Sequence, residues 1–301
     1  MKKYISKVIL FLVLMAVVDV FSGSLGDYLF FHSRTHNKEG VNDFISNKKN
    51  DIIVLGSSRA HHHYNTPLMS DVLGLNVYNA GCNGNGVVLA YGFLELILEN
   101  YKPKLVVFDI EPSFDIDVYP PDNNHVRYVD GLKPYYRHSS IKNIIKEISE
   151  EEWHKVHSGL LRYNSNLVNI FVSYLFETDN GMRGYVPLNG QYDGELTKDD
   201  SERVEDTFKL KYLEKLILLC QEHEVTVVFV ASPRFVENSS KNLKPALELC
   251  KRYNVVFLNY SEDSVFLRHG EWFKDVNHLN SEGAKTFSER IAKDIQKLSI
   301  L

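Results

Sequence analysis

Four stretches of this chain are short, almost wholly apolar and rich in β-branched residues: Asp51-Ile52-Ile53-Val54-Leu55, Leu105-Val106-Val107-Phe108-Asp109-Ile110, Val225-Thr226-Val227-Val228-Phe229-Val230-Ala231 and Val255-Val256-Phe257-Leu258. A strand with one face in water alternates apolar and polar residues; a strand covered on both faces does not. These runs therefore predict buried strands. A fifth, shorter strand is expected at Asn76-Val77-Tyr78-Asn79. Between the strands, apolar residues fall at helical spacing, as in Val88, Tyr91, Leu94 and Leu98, and again over 209–222, 243–253 and 281–298. Strand and helix in alternation predict a parallel sheet with helices on both faces.

The alternation stops after the third strand. From Glu111 to about Lys209 no strand–helix repeat is visible, and Tyr119-Pro120-Pro121 and Pro134-Tyr135-Tyr136-Arg137 mark aromatic-rich loops. We expect a helical insertion at about 112–208, at a strand's carboxyl edge. Long insertions of this kind usually serve function, so it is read as a cap shaping a pocket, with a purely stabilising lateral subdomain as the alternative.

The N-terminus carries Lys2, Lys3 and Lys7 ahead of an apolar run from Val8 to Val18, which Asp19 interrupts before weakly apolar sequence continues to Phe31. The run is shorter than the roughly 20 residues of a spanning helix. It has the length of a signal-peptide core, but no clean cleavage site follows. An uncleaved signal anchor over residues 1–31 is expected, then a linker over 32–50 and one domain over 51–301. A cleaved signal peptide and a structural apolar helix are the alternatives. The basic flank keeps the N-terminus cytoplasmic and places the body outside the membrane. In a chain of 301 residues with net charge −5 and no long basic run, no nucleic-acid partner is expected. Cys82, Cys220 and Cys250 lack CxxC spacing, which speaks against a zinc ribbon.

The first strand runs out into Gly56-Ser57-Ser58-Arg59. Open α/β sheets place their chemistry at the carboxyl edge of the strands, so Ser58 is the candidate nucleophile. A serine hydroxyl needs a base at neutral pH. Asp275, three residues before His278 and just ahead of the last helix, can orient that imidazole and favour its charged form. The second strand opens into Ala80-Gly81-Cys82-Asn83-Gly84-Asn85-Gly86, a loop built for tight turns or close approach. His61, His62 and His63 point in different directions and have no acidic or cysteine partner at ligand spacing, so no metal site is expected. Arg59 is read either as an anion-binding substrate contact or as a salt-bridge partner of Glu111. Glu111 and Arg234 are further candidate substrate contacts. Tyr135, Tyr136 and Trp153 suit either a carbohydrate-facing wall or the insertion's own core.

With Gly56-Ser57-Ser58, Asn79-Ala80-Gly81 and Asp275-Val276-Asn277-His278 in this order, the chain resembles the SGNH/GDSL hydrolase superfamily. The likeness is greater to its membrane-anchored bacterial cell-envelope branch, and it covers the framework over 51–110 and 209–297. The resemblance implies a flavodoxin-like three-layer α/β/α sandwich with a five-stranded parallel sheet. It implies Ser58 as nucleophile, His278 as base, Asp275 as orienting acid, and the N–H groups of Ser58 and Gly81 as oxyanion donors. Two departures stand out. Ser57 replaces the family's aspartate, and the third-block Gly-x-Asn-Asp is missing, since the third strand ends Asp109-Ile110-Glu111-Pro112-Ser113. Losing one oxyanion donor costs about 3 kcal/mol of transition-state stabilisation. Asn83, with Asn85 as alternative, is the nearest replacement.

The activity implied is a serine esterase acting on acyl esters, chiefly acetyl, of cell-envelope or extracellular carbohydrate, without a cofactor. The alternatives are an O-acyltransferase working with a membrane acyltransferase partner, and a non-catalytic binding module on a degenerate hydrolase scaffold.

Overall fold

A computed structural model describes residues 1–32, 44–45, 50–118, 125–163, 168, 170–172, 182–201 and 203–300. Most of the expected 32–50 linker and the Tyr119-Pro120-Pro121 loop lie outside the described residues. The described residues form two units: one of 1–42 with 125–179, the other of 43–124 with 180–301.

The second unit holds the sheet. Its strands are β1 (Ile52–Gly56), β2 (Val77–Asn79), β3 (Leu105–Asp109), β4 (Thr226–Ala231) and β5 (Val256–Asn259). They are ordered β2-β1-β3-β4-β5 and all are parallel. This is the expected five-stranded α/β sheet, in flavodoxin-like order. The apolar runs are continuous because both faces are covered. Ile52, Val54, Val107, Val228 and Val230 pack with Met69, Phe287, Ile291 and Ile295 from the helices Thr66–Leu73 and Ser281–Lys297. Ile53, Leu55, Val106, Phe108 and Phe229 point the other way and are equally buried, on the side of the helices Val87–Asn100 and Thr207–Glu222. The edge strand β5 is only partly covered.

The chain leaves β1 toward β2, then crosses back to place β3 on β1's other side. Ligands of open α/β sheets bind beyond the strand ends at such a reversal. Here Gly56 at the end of β1 pairs with Asp109 at the end of β3. Gly56 has φ +143°, and a Cβ on it would lie 2.6 Å from the Asp109 carbonyl oxygen. Only glycine lets β1 turn into the next helix against β3 so closely.

The first unit contains the helix Lys2–His32 and the helices Ser139–Ile148, Glu150–Lys155 and Gly159–Tyr163. Tyr135 is buried there with its ring against Phe30 and Phe31, and Trp153 stacks edge-on with His157. These aromatics are built into that unit's own packing, which disfavours the carbohydrate-facing wall. The rest of the expected insertion that the structure describes, residues 112–118, 182–201 and 203–208, belongs to the unit that holds the sheet. All three cysteines are free thiols.

Gly56→Ala should destabilise the protein by at least 1–3 kcal/mol, roughly the strain of a non-glycine residue in such a conformation. A urea unfolding curve checks this; an unchanged midpoint would show that the β1 turn relaxes freely.

Candidate functional site

The turn after β1 becomes the short helix Ser58–His63, with Ser57 as its N-cap accepting from the Arg59 N–H. Ser58 thus opens the helix at the carboxyl edge of the sheet. The other half of the site comes from the loop before the last helix. Phe273 and Leu279 bridge antiparallel, and the Lys274 N–H donates to the His278 carbonyl at 2.8 Å. That closes a tight loop. Asp275 accepts from the Asn277 N–H (2.8 Å) and the His278 N–H (3.0 Å), and Asn280 caps the following helix.

The two halves meet. Ser58 Oγ lies 2.8 Å from His278 Nε2, and His278 Nδ1 lies 2.9 Å from Asp275 Oδ1. All three residues are half-buried. Burial pushes the Asp275 carboxyl up, but the His278 hydrogen bond and the two loop N–H donors outweigh it and hold it below the usual carboxylate range. A charged carboxylate on Nδ1 requires Nδ1 to carry the hydrogen, which leaves Nε2 free to accept the Ser58 proton. The Ser58, His278 and Asp275 brought together here are 220 residues apart in sequence at their widest hydrogen bond.

The oxyanion candidates are arranged otherwise than expected. The Gly81 N–H donates to Asn79 Oδ1 at 2.9 Å, so it is already occupied. The reason is Asn79 itself. It is buried, its amide donates to the Ala60 carbonyl at 2.6 Å, and its own oxygen needs a donor. Gly81 is still required to be small, because a Cβ would sit 2.4 Å from the His61 nitrogen. Asn83 is exposed and lies near His62, whose ring is 6.0 Å from that of His278. The Asn85 amide bonds within the loop, to the Asn83 carbonyl at 3.1 Å.

The three candidate substrate contacts are part of the scaffold. Arg59 is 1 % exposed, with Nε 2.7 Å from Glu111 and its other nitrogens on the Ile110 and Ser232 carbonyls. Burial pushes the Glu111 carboxyl up, but Arg59, with Arg234 and Arg203 farther off, holds it below its ordinary range. The anion-binding reading of Arg59 gives way to the salt bridge. Its helix carries the side chain under the site, where the ends of β3 and β4 leave carbonyls to satisfy. Arg234 is 8 % exposed, and its Nε and Nη2 donate to Asn277 Oδ1 at 3.1 and 2.9 Å. It braces the loop that carries His278.

A second brace escaped the sequence. His63 is buried, and its Nε2 accepts the Leu279 N–H at 3.0 Å. Its Nδ1 therefore donates to Ser232 Oγ (3.0 Å), which in turn donates to Asp109 Oδ2 (2.7 Å). Burial keeps His63 neutral, as this pattern requires, and pushes Asp109 up to about 6. Polar residues closing the buried strands β3 and β4 were the available signal for Asp109 and Ser232. Nothing in the spacing distinguished His63 from its neighbours. Among the described residues no group of three or more acidic, histidine or cysteine side chains is placed to hold a metal ion.

No family model matches the chain, and no curated protein matches it. Several solved structures are similar to it, among them the following three. An esterase, EstA, from Pseudoalteromonas sp. is 12 % identical, with a TM-score of 0.44 over 83 % of this chain and 98 % of that one. An acetyl xylan esterase is 13 % identical, with a TM-score of 0.42 over 81 % and 99 %. A G-D-S-L family protein from Desulfitobacterium hafniense DCB-2 is 11 % identical, with a TM-score of 0.40 over 81 % and 99 %. These are distant likenesses of architecture; the chemistry rests on the chain's own geometry.

Two measurements test the site's electrostatics. Glu111→Gln strips the buried Arg59 of its carboxylate and should cost about 3–5 kcal/mol of stability; a loss under 1 kcal/mol would mean that the guanidinium reaches water. His61, lowered to about 4 by burial and then by His62, resists protonation in the folded state. Its contribution is complete above pH 6.5 and is lost as pH falls toward 4, roughly 3 kcal/mol in all. Asp109 and Asp117, both pushed up to about 6 by burial, act with the opposite sign over this range. The test is therefore a difference: His61→Gln should lose less thermal stability than wild type between pH 6.5 and 4.5. Parallel curves would refute it.

Proposed function

We propose that the chain is a serine esterase of the SGNH type. The observation that supports this best is the hydrogen-bonded series Ser58–His278–Asp275 at the carboxyl edge of β1, beside the reversal in strand order. Ser58 Oγ attacks the acyl carbonyl while its proton passes to His278 Nε2. Asp275 stabilises the imidazolium that forms. The oxyanion is met by the Ser58 N–H and by the Asn83 amide. Gly81 enters this reading as a support of the loop, since its N–H serves Asn79. His278 gives the proton to the departing alkoxide oxygen, leaving an acyl-enzyme. Water then attacks, returns its proton through His278, and releases the carboxylic acid and free Ser58.

The substrate class we assign is acyl, chiefly acetyl, esters of cell-envelope or extracellular carbohydrate. The motif resemblance supports it. So does the 31-residue helix Lys2–His32, which is long and apolar enough to cross a membrane and would hold the body at the envelope.

Fluorophosphonate labelling of the full chain tests the reading. Wild type should label at Ser58, Ser58→Ala should not label, and His278→Ala should label and hydrolyse a chromogenic acetyl ester at least ~10³-fold more slowly. Persistent labelling of Ser58→Ala would identify another nucleophile. An unlabelled wild type would point instead to a binding module on this scaffold. Retention of the acetyl group on an added polysaccharide acceptor, rather than its release to water, would favour acyl transfer.

A further inference from the structure

The last fourteen residues of the helix Lys2–His32 are not merely apolar. Asp19 accepts hydrogen bonds from Ser158 Oγ (2.5 Å), the Gly159 N–H (3.1 Å) and the Leu160 N–H (3.0 Å). It therefore supplies, from a remote segment, the cap for the helix Gly159–Tyr163. Eight residues on, Asp27 pairs with Arg162 at 3.1 Å and accepts from the Tyr163 hydroxyl at 2.6 Å. The Arg162 side chain is 4 % exposed. Between the two aspartates the backbones touch. A Cβ on Gly159 would lie 2.3 Å from both the Asp19 oxygen and the Gly23 nitrogen, and a Cβ on Gly26 would lie 2.4 Å from the Tyr163 ring. Asp19, Gly23, Gly26, Asp27 and Phe30 share one helix face. Without this helix, a buried guanidinium would lose its carboxylate and a helix start would lose its cap.

Upstream the helix is different. From Tyr4 to Val18 it is exposed all round, Ile5, Val8, Leu10, Leu12 and Leu14 each by more than half. At 1.5 Å per residue those fifteen residues span about 22 Å, short of a hydrocarbon core of about 30 Å. The missing length has to come from the next turn and a half, residues 19–23. There the outward side chains are Val20 and Phe21, 67 % and 66 % exposed, while the other face is covered by Gly159 and Arg162. Leu161 on the covering helix is itself 49 % exposed.

Taking residues 1–32 as a permanent anchor rather than a removable leader, we propose that the outer end of the hydrocarbon core falls within residues 19–23, the segment that runs from the Asp19 cap to Gly23 and packs on Gly159. The helix Gly159–Tyr163 then lies at headgroup depth with Leu161 against lipid, as a second membrane-contacting element. This rests on the envelope placement given above and extends it to named residues.

The test uses the full chain in phosphatidylcholine–phosphatidylglycerol vesicles, with an environment-sensitive fluorophore on Leu161→Cys in a Cys82→Ser background. Cys220 and Cys250 are buried and protected from labelling. The vesicles should float with the protein, intact mass should retain residues 1–32, and the fluorophore should be quenched by shallow nitroxide lipids. Floating protein with a fluorophore that only aqueous iodide quenches would overturn the lipid contact of Leu161 alone. A membrane-extracted chain cleaved between Val18 and Phe31 would overturn the permanent anchor. Protein that stays at the bottom of the gradient would overturn both this inference and the envelope placement, whereas fluorophosphonate labelling of Ser58 reports separately on the esterase reading. Asp19→Asn supplies the second variant. It keeps one cap acceptor and should preserve the quenching pattern, while Asp19→Lys should abolish it; equal quenching in both would remove Asp19 from the boundary.

Discussion

The six-residue helix Ser58–His63 holds the loop before the last helix at both of its ends. At its start Ser58 meets His278, and at its finish His63 accepts the Leu279 N–H. Two neighbouring residues of one loop are thus fixed by two residues one and a half turns apart on one helix. The spacing of serine and imidazole is therefore set by rigid elements on both sides. The loop is fixed from a third direction by Arg234 on Asn277. A hydroxyl that must lie within about 0.5 Å of its reactive position needs support of this kind.

The support has an electrostatic cost that the fold offsets locally. Bringing the helix start against the ends of β3 and β4 buries Arg59, and a buried guanidinium is tolerated only with a partner and satisfied donors. Glu111, the Ile110 carbonyl and the Ser232 carbonyl supply these, and all three come from the residues that follow the two strands. Ser232 also receives the His63 ring and bonds Asp109. The polar residues that close the buried strands thus form a floor under the site. They position the groups that would react and leave substrate contact to others.

How much of this was legible in the sequence differs by element. The strands were legible because burial on both faces leaves no polar positions in Ile53 to Leu55 or Val106 to Phe108. Asp275 and His278 were legible because local spacing puts both in one loop ahead of a capped helix. The sequence leaves Arg59 between a substrate contact and the salt bridge to Glu111 that the structure shows, and it offers Glu111 and Arg234 as substrate contacts although both are buried. Exposure is a property of what packs over a residue, and here that came from β3, β4 and the loop at Asn277. Gly81 was misread for the same reason. Its N–H is taken by Asn79, whose burial depends on the helix Ser58–His63 lying across it. In the first unit, Asp19 looked like an interruption of an apolar run. Only its contact with Ser158 and Gly159 turns it into a cap.

The sequence by itself therefore determined the layered α/β architecture, the apolar N-terminal helix and the chemical types present at the strand ends. Each of these follows from local periodicity and composition. The tertiary structure alone decided which of those residues meet. The Ser58–His278 bond joins positions 220 residues apart, and His63, Arg59 and Asn79 acquire their roles only from neighbours distant in the chain. Hydrogen-bond satisfaction in a buried site is a property of the assembled neighbourhood, and no single segment contains it.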